Sequence, residues 1–208
     1  SQFIKEKYNN NKVLVIVNTV RKAQEIYNEL IDDVDEDELR VFHGGFIKRD
    51  RKAVEEKIIN FGHKDNDESG IWICTQVAEA SLDIDFDILI TELSDINGLF
   101  QRMGRCYRNR ELEDRKTNIF VFDGGIEKCS GVGFVNDKDI FHLSKNKLRE
   151  EFQDRKTWRI TEKDKIDIIN EIYTTDNLRK TQYYKDIYDA IKYVDSTFLY
   201  ELSKHTNK

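Results

Sequence analysis

Five short apolar runs alternate with helical patterns over the first 125 residues of the chain. The runs cover residues 13–17, 39–43, 71–74, 88–90 and 118–123. After the first run, apolar residues recur every three or four positions, as at Ala23, Ile26 and Leu30, which is the period of a helix with one buried face. Strands that alternate with helices form a parallel sheet, because a crossover helix returns the chain to the same end of the sheet. Residues 1–125 are therefore predicted to form an α/β domain, with a parallel sheet covered by helices on both faces.

From about residue 126 the strand signals cease, and long charged helical patterns take over, as at Ile140, Leu143 and Leu148. Residues 126–208 are therefore predicted to form a mostly helical C-terminal extension. Its tyrosines include Tyr183, Tyr184, Tyr188, Tyr193 and Tyr200. Tyrosines can stack on the bases of a single strand, but at helical spacing they more often pack against a neighbouring helix.

The charge balance of the chain limits how it can bind nucleic acid. Its 34 Lys and Arg residues are outnumbered by 40 acidic residues, which gives a net charge of −6 at pH 7. Nonspecific binding to nucleic acid depends on contacts between positive side chains and phosphates. Any such binding is therefore expected to come from a local basic track.

The cysteine and hydropathy patterns indicate a cytoplasmic protein. Cys74, Cys106 and Cys129 are odd in number and lack Cys-x-x-Cys spacing, which is typical of reduced thiols. The longest uninterrupted apolar run, residues 13–17, is too short for a membrane span, and no signal-peptide pattern precedes it. A cytoplasmic location without membrane attachment is therefore expected.

Three arginines follow the fourth apolar run. They lie at intervals of three in the segment Gln101-Arg102-Met103-Gly104-Arg105-Cys106-Tyr107-Arg108. On a helix this spacing puts all three on one side, where guanidinium groups can bind the γ-phosphate of a nucleotide through paired hydrogen bonds. The same spacing also occurs on exposed basic helices, so the segment upstream is needed to choose between the two interpretations.

That upstream segment lies between two apolar runs and reads Thr75-Gln76-Val77-Ala78-Glu79-Ala80-Ser81-Leu82-Asp83-Ile84-Asp85. A threonine at the carboxyl end of a parallel strand lies where α/β folds bind ligands. Together, the two segments resemble motifs V and VI of superfamily 2 helicases. The pairing of Thr75-Gln76 with Ser81-Leu82-Asp83 is similar, more narrowly, to the CRISPR-associated helicase-nuclease of type I systems.

This resemblance implies that the chain contains the second RecA-like lobe of such an enzyme, and it assigns roles to individual residues. Arg105 and Arg108 match the two motif VI arginines that reach the γ-phosphate, one of them as the arginine finger. The other positions implied to lie near the nucleotide or to buttress its cleft are Gln101, Arg102 and Asp83. The positions implied to lie near the nucleic-acid backbone are Asn18, Thr19, His43, Thr75 and Gln76.

Some of these positions also have a structural interpretation. Asn18 or Thr19 is equally suited to be the N-cap of the helix that follows. A histidine at a strand end, such as His43, is more often structural than functional. Asp85, which lies close to Asp83, is interpreted as a helix or strand cap.

The sequence lacks the motifs that would complete an active enzyme. It contains no Gly-x-x-x-x-Gly-Lys-Ser/Thr phosphate loop and no Asp-Glu-x-Asp/His motif, and its four histidines are too scattered for a nuclease metal centre. No metal ligand is predicted. We therefore expect ATP and its Mg²⁺ to be held by a first RecA-like lobe outside this sequence, and the chain to be inactive when alone.

The resemblance also implies the activity and partners of the intact protein. We expect an ATP-dependent DNA helicase or translocase, an ATP hydrolase with an associated nuclease, that serves type I CRISPR interference and antiviral defence. Its implied partners are single-stranded DNA, the first lobe and nuclease domain in cis or in trans, and the CRISPR RNA-guided surveillance complex. Two alternatives are the second lobe of a general superfamily 2 (DEAD-box-like) RNA helicase and a RecA-like binding module without catalysis.

Overall fold

The computed structural model describes residues 1–79, 82–108, 110–112, 116–124, 128–153, 155 and 157–199. The strands within these ranges are β1 (Lys12–Ile16), β2 (Leu39–Phe42), β3 (Gly70–Cys74), β4 (Ile88–Glu92) and β5 (Ile119–Phe122). They form one parallel sheet in the order β2-β3-β1-β4-β5. The predicted parallel sheet is confirmed, with only small differences at the strand ends.

Helices connect the strands and continue after the last of them. Those of the described part of the chain are α1 (Gln2–Tyr8), α2 (Val20–Leu30), α3 (Lys48–Phe61), α4 (Ile96–Met103), α5 (Lys138–Phe152), α6 (Glu162–Ile172), α7 (Thr175–Leu178) and α8 (Gln182–Val194). A 3₁₀ turn, Gln76–Ala78, follows β3. None of the described helices has the length and apolar character that a membrane span needs.

Alternate residues of the central strands pack on opposite faces of the sheet. On one face, Leu14 and Trp72 share an apolar cluster with Ile58 of α3. On the other face, Val15 shares a cluster with Leu30 of α2 and with a residue of α1. Strands β1 and β3 are buried along their whole length, as expected for a parallel sheet between two helical layers. The prediction of helices on both faces is therefore confirmed.

Strand β1 lies at the centre of the sheet, where Val13 pairs with Ile71 of β3 and with Ile88 of β4. Because the three strands run in the same direction, their carboxyl ends lie together. We call this the carboxyl edge; it includes Asn18 after β1 and Thr75 after β3. In an α/β fold this is the edge at which ligands bind.

Helix α1 is an element that the sequence pattern did not predict. It has only seven residues, too few for a helical period to stand out. Ile4 is its buried residue, and Phe3 packs edge-on against Phe120 of β5, with the ring centroids 5.0 Å apart. The helix therefore depends on contacts with the sheet.

A third apolar cluster joins α4 to the helices that follow β5. It includes Leu99 of α4, Phe141 of α5 and Ile172 of α6. The predicted change to helical structure is thus present in α5 to α8. The predicted boundary at residues 125 and 126 lies outside the described residues, so the division into two domains stays a prediction.

Helix α8 contains most of the tyrosines noted in the sequence and has no buried residue. Tyr184 and Tyr188 stack on each other, with ring centroids 6.4 Å apart and the planes at 7°. Tyr188 and Tyr193 are largely exposed, and Tyr200 lies outside the described residues. Packing between tyrosines of one helix is therefore present, and their stacking on bases stays a prediction.

Candidate functional site

Arg102 connects the ends of several elements in the interior of the protein. It lies in the last turn of α4, is fully buried, and forms an ion pair with Glu79, with Nη2 2.7 Å from Oε1. Its Nε also donates to Glu79 Oε1 at 2.8 Å, and its Nη1 donates to Thr91 Oγ1 at 2.9 Å and to the main-chain oxygen of Glu92 at 2.8 Å. Its Nη2 donates to Asn18 Oδ1 at 2.8 Å. Arg102 thus joins β1, β4 and the segment after β3.

Asn18 completes this buried network. Its side-chain amide donates to the main-chain oxygen of Leu93 at 2.9 Å, and its main-chain N–H donates to Glu92 Oε2 at 2.8 Å. Its own carbonyl accepts a hydrogen bond from Gln76 Nε2 at 2.9 Å. The side chain of Asn18 is therefore engaged within the protein. Its proposed proximity to nucleic acid stays a prediction.

The three arginines do not lie on one helix, and the interpretation of their spacing as a helical face is wrong. Helix α4 ends at Met103, with Gly104 as its C-cap. The next residues pair with the chain before β4: Phe86 N donates to Arg105 O at 2.9 Å, and Tyr107 N donates to Phe86 O at 3.2 Å. Arg105 and Arg108 therefore lie in a separate segment, residues 104–108, which we call the arginine loop.

Arg105 is held by main-chain carbonyls. Its Nη2 donates to Glu79 O at 2.5 Å and its Nη1 donates to Leu82 O. Its Nε is buried and has no hydrogen-bond partner among the described residues. Burial is the main cause that lowers the pKa of Arg105, and the charge of Arg108 lowers it further. The charges of Asp83 and Glu79 act in the opposite direction. An arginine still stays charged near neutral pH, so this cation is bonded only to neutral acceptors within the described part of the chain.

Arg108 lies beside Arg105 and is open to solvent. Its Nη1 lies 3.4 Å from Leu82 O and 3.4 Å from Asp83 Oδ1, and its side chain is 44% exposed. Asp83 itself is 82% exposed. The two guanidinium groups thus converge on one carbonyl oxygen, and Asp83 is close enough to contact a ligand bound there. Gln101 is exposed on α4.

Arg110 and Asp85 hold the arginine loop in place, a role that the sequence interpretation missed. Arg110 donates to both oxygens of Asp85, at 2.9 and 3.2 Å, and to Asp87 Oδ1 at 2.8 Å. Asp85 Oδ1 also accepts from the main-chain N–H of Arg108 at 3.1 Å. The hydrogen bond with Asp85 is the main reason that the pKa of Arg110 lies above its usual value. Alternating carboxylates at positions 83, 85 and 87 are a sequence signal that could have indicated this role.

Local contacts fix two more of the predicted residues. Thr19 accepts a hydrogen bond from Lys22 N at 3.2 Å as the N-cap of α2, so its interpretation as a cap is confirmed. His43 is buried, its Nδ1 accepts from Gly45 N at 3.1 Å, and its ring centroid lies 4.7 Å from that of Phe46. Burial lowers the pKa of His43. His43 thus has a structural role, and its contact with nucleic acid stays a prediction.

Basic side chains lie at the carboxyl edge, where α2 and α3 begin. We call this group the basic track; it consists of Arg21, Lys22, Lys48, Arg49 and Arg51. The acids in the same helical turns are Glu25 and Asp50, so five basic residues face two acids and the local balance is +3. Thr75, buried, and Gln76, half-buried, lie at the end of β3 on the same edge. Positive charge in the first turn of a helix lies beside the positive end of the helix dipole, which is an unfavourable arrangement for the helix.

No cluster suitable for a metal ion occurs in the part of the chain that the structure describes. The chemical groups that this site offers are therefore guanidinium groups, an exposed carboxylate and main-chain amides. Guanidinium groups and main-chain amides can bind phosphate, and a carboxylate can accept a hydrogen bond from a ribose hydroxyl.

Comparisons with known proteins identify relatives of this chain. The family described as "CRISPR-associated nuclease/helicase Cas3, C-terminal" matches residues 9–111. The Cas3 nuclease/helicase of Methanothermobacter thermautotrophicus is 35% identical over 136 residues, which are 64% of this chain and 15% of that protein. That of Streptococcus thermophilus is 38% identical over 122 residues, 57% of this chain and 13% of that protein. The chain thus spans only about a seventh of the length of these relatives.

Several solved structures share the fold of this chain. The crystal structure of T. fusca Cas3 with ATP superposes with a TM-score of 0.68 at 18% identity, over 93% of this chain and 24% of that one. A crystal structure described as a CRISPR-associated protein covers 99% of this chain and 24% of its own, with a TM-score of 0.64 at 22% identity. A structure of a CRISPR RNA-guided surveillance complex before nicking gives a TM-score of 0.63 at 20% identity, over 85% of this chain and 22% of that one. At these identities the similarity establishes a RecA-like fold.

Proposed function

This chain belongs to the Cas3 family of CRISPR-associated nuclease/helicases, as part of its C-terminal helicase region, and from this premise we propose that it supplies two arginines to ATP. In this proposal ATP and its Mg²⁺ are held by a first RecA-like lobe, and Arg105 and Arg108 contact the γ-phosphate when the two lobes close. The guanidinium groups then neutralise the charge that develops during phosphoryl transfer.

The observation that carries the proposal is the convergence of Arg105 and Arg108 on the oxygen of Leu82. Among the described residues Arg105 has no carboxylate at ion-pair distance, and the ion-pair partner of Arg108 is the exposed Asp83, 3.4 Å away. Phosphate oxygens are stronger acceptors for guanidinium than a carbonyl is. The phosphates of a nucleotide can therefore replace the carbonyl oxygens as acceptors for these guanidinium groups.

We assign supporting roles to three neighbouring residues. Asp83, beside Arg108, is placed to accept a hydrogen bond from a ribose hydroxyl. Arg102 holds the arginine loop from inside, because it binds the side chain of Glu79 while Arg105 binds the carbonyl of the same residue. Gln101 lies on the exposed face of α4 and is proposed to meet the first lobe.

Single-stranded DNA is proposed to cross the carboxyl edge. The basic track supplies charge for its phosphates, and Thr19, Thr75 and Gln76 lie beside that track at the ends of β1 and β3. Asn18 and His43 contribute indirectly, because their side chains form hydrogen bonds that fix the turns next to these residues. Contacts of this kind bind the backbone without reading sequence.

For the whole protein we propose ATP-driven translocation on single-stranded DNA, linked to a nuclease domain and to recruitment by the RNA-guided surveillance complex in antiviral defence. The chain alone is proposed to be inactive, because the phosphate loop and the metal-binding motif are absent from its sequence. Its three cysteines are free thiols, which agrees with the cytoplasm as the proposed location.

The test is DNA-stimulated ATP hydrolysis by this chain combined with a first lobe, in one polypeptide or as two. We expect Arg105→Ala and Arg108→Ala each to lower kcat roughly 10³-fold or more, the range known for arginine fingers. Arg105→Lys should also fail, because an ammonium group cannot form the paired contacts. Arg179→Ala, which removes an exposed arginine beyond α7, is the matched control and should keep the rate.

Three results would change the proposal. Undiminished hydrolysis in both the Arg105→Ala and Arg108→Ala enzymes would remove the arginines from the active site. Stimulation by RNA and not by DNA would instead favour the general RNA helicase lobe. If hydrolysis never appears with any first lobe of the family, the chain is a binding module.

A further inference from the structure

The loop of residues 128–136 crosses the carboxyl edge beside the ends of β1 and β4. Ser130 donates to the carboxylate of Glu92 twice, from its N–H at 2.9 Å and from its hydroxyl at 2.6 Å. The same carboxylate accepts from the main-chain N–H of Asn18. One acidic side chain thus fixes the loop to the buried network.

The far part of this loop is a tight and well-bonded turn. The oxygen of Gly131 accepts from the N–H groups of Val135 at 2.8 Å and Asn136 at 3.1 Å, and Gly133 N donates to Asn136 O at 2.8 Å. Gly131 has a φ of +75°, and a Cβ at that position would lie 3.2 Å from Thr19 Cγ2. The turn therefore rests against Thr19, one of the residues proposed to lie near nucleic acid.

Phe134 lies in this turn and is 78% exposed. A single exposed apolar residue is common on protein surfaces. Here, however, the hydrogen bonds of Gly131, Gly133 and Asn136 hold the backbone on both sides of Phe134, so the ring is presented at a defined place. Burial of such a ring is favourable, and within the described residues nothing buries it.

The surroundings indicate what the ring meets. Arg21, whose side chain is 90% exposed, and Lys22 lie two and three residues after Thr19, in the first turn of α2. Exposed positive charge beside a fixed aromatic ring is the combination with which proteins bind single-stranded nucleic acid: the charges hold the phosphates and the ring stacks on a base. A base in a duplex is already stacked on both faces, so the combination selects single strands.

We propose that Phe134 stacks on a base of single-stranded nucleic acid bound along the carboxyl edge. This inference rests on the proposed function, which brings the strand to this edge, and adds a contact to the bases. Because every base has an aromatic face, the contact favours single strands without selecting a sequence.

The experiment compares the binding of two fluorescent probes to the full chain at fixed salt: a single-stranded oligodeoxynucleotide, and an abasic strand of the same length. We expect Phe134→Ala to weaken binding of the oligodeoxynucleotide about 5- to 150-fold, the range for loss of one stacked base. Binding of the abasic strand should not change. Phe134→Trp should restore affinity, and its added tryptophan fluorescence should be quenched by the oligodeoxynucleotide and not by the abasic strand.

Ile166→Ala is the matched control, because Ile166 is another exposed apolar residue, 58% exposed on α6. Neither this variant nor Phe134→Ala should change the thermal unfolding midpoint. If the wild-type chain fails to bind the oligodeoxynucleotide, the proposed path of the strand and this inference both fall.

Other outcomes overturn the inference alone. If wild type binds and Phe134→Ala binds equally well, Phe134 does not stack. Equal loss of binding to both probes would show that the variant disturbs the backbone contacts instead. Weaker association of Phe134→Ala with the first lobe, with unchanged binding of the oligodeoxynucleotide, would assign Phe134 to a protein interface.

Discussion

Replacement of Arg102 should cost this lobe more stability than any other exchange of an arginine. The buried guanidinium donates to Glu79, Thr91, Asn18 and the main-chain oxygen of Glu92. Arg102→Met keeps an unbranched side chain of similar length but removes every donor. A carboxylate and its neighbouring oxygens would then lie in the interior without these partners.

Glu79 accounts for the largest part of the expected loss. Its side chain is only 16% exposed, and its Oε1 receives both Nε and Nη2 of Arg102. Removal of one partner of a buried ion pair costs about 3–5 kcal/mol, because the other charge stays buried. Each neutral acceptor that loses its donor adds about 1–3 kcal/mol, and the more apolar methionine offsets part of the sum. We expect the free energy of unfolding to fall by at least about 3 kcal/mol, out of roughly 5–15 kcal/mol for a typical domain.

Urea unfolding, followed by far-ultraviolet circular dichroism, measures this loss as a lower midpoint at constant slope. The matched control is Arg21→Met, which removes an arginine of α2 that binds Glu25 at 2.9 Å in a largely exposed pair. An exposed pair of this kind contributes less than about 1 kcal/mol. If the two variants unfold at the same urea concentration, the buried network does not stabilise the lobe and the reasoning is refuted.

A second variant tests whether the unpaired carboxylate is the cause. Arg102→Met combined with Glu79→Gln leaves no charge buried without a partner. We expect the double variant to be about 1–3 kcal/mol more stable than Arg102→Met alone. A double variant that is less stable than the single one would place the loss at the neutral acceptors.

Three further predictions follow from the site. Arg110→Ala leaves Asp85 without its main partner and loosens the main chain of Arg108, so kcat for ATP hydrolysis should fall roughly 10- to 100-fold with little change in KM. Arg110→Lys should recover part of the rate. An unchanged kcat in Arg110→Ala would contradict this role. Because the pKa of His43 is lowered in the folded state, the unfolded chain binds a proton at this histidine more readily than the folded protein does. The folded protein should therefore lose stability as the pH falls below about 6.5. His43→Gln should show a smaller drop in melting temperature between pH 7 and pH 5 than wild type. Gly131→Ala, at a φ of +75°, should lower stability by about 1–2 kcal/mol, measured by thermal unfolding, and no loss would show that the turn can rearrange.

The sheet could be predicted from the sequence because its signal is local. Each strand is a short apolar run, and β1, buried at every position, has the composition of a strand covered on both faces. The cap at Thr19 is local as well, since the hydroxyl and the N–H that it binds are three residues apart. Helix α1 escaped prediction because two turns with one buried residue carry no detectable period.

The different roles of the three arginines could not be predicted, because they depend on distant residues. Arg102 and Arg105 have the same side chain and lie three residues apart, yet Arg102 is fully buried and Arg105 only partly. What separates them is the end of α4 at Met103 and the pairing of Cys106 with Phe86, twenty positions earlier. The partner of Arg102 at β1 is 84 residues away, beyond the reach of any pattern of spacing.

The short segment after β3 connects the two surfaces of the proposed motor. Gln76 binds the carbonyl of Asn18 at the carboxyl edge, whereas Glu79 binds Arg102 with its side chain and Arg105 with its carbonyl. If a phosphate takes over the guanidinium of Arg105, the carbonyls of Glu79 and Leu82 lose their donor while the ion pair with Arg102 is kept. The segment is then released on the side of the nucleotide and still held at the edge proposed for DNA. We therefore expect nucleotide binding to be transmitted to the edge proposed for DNA through Gln76, the residue of this segment that lies at that edge.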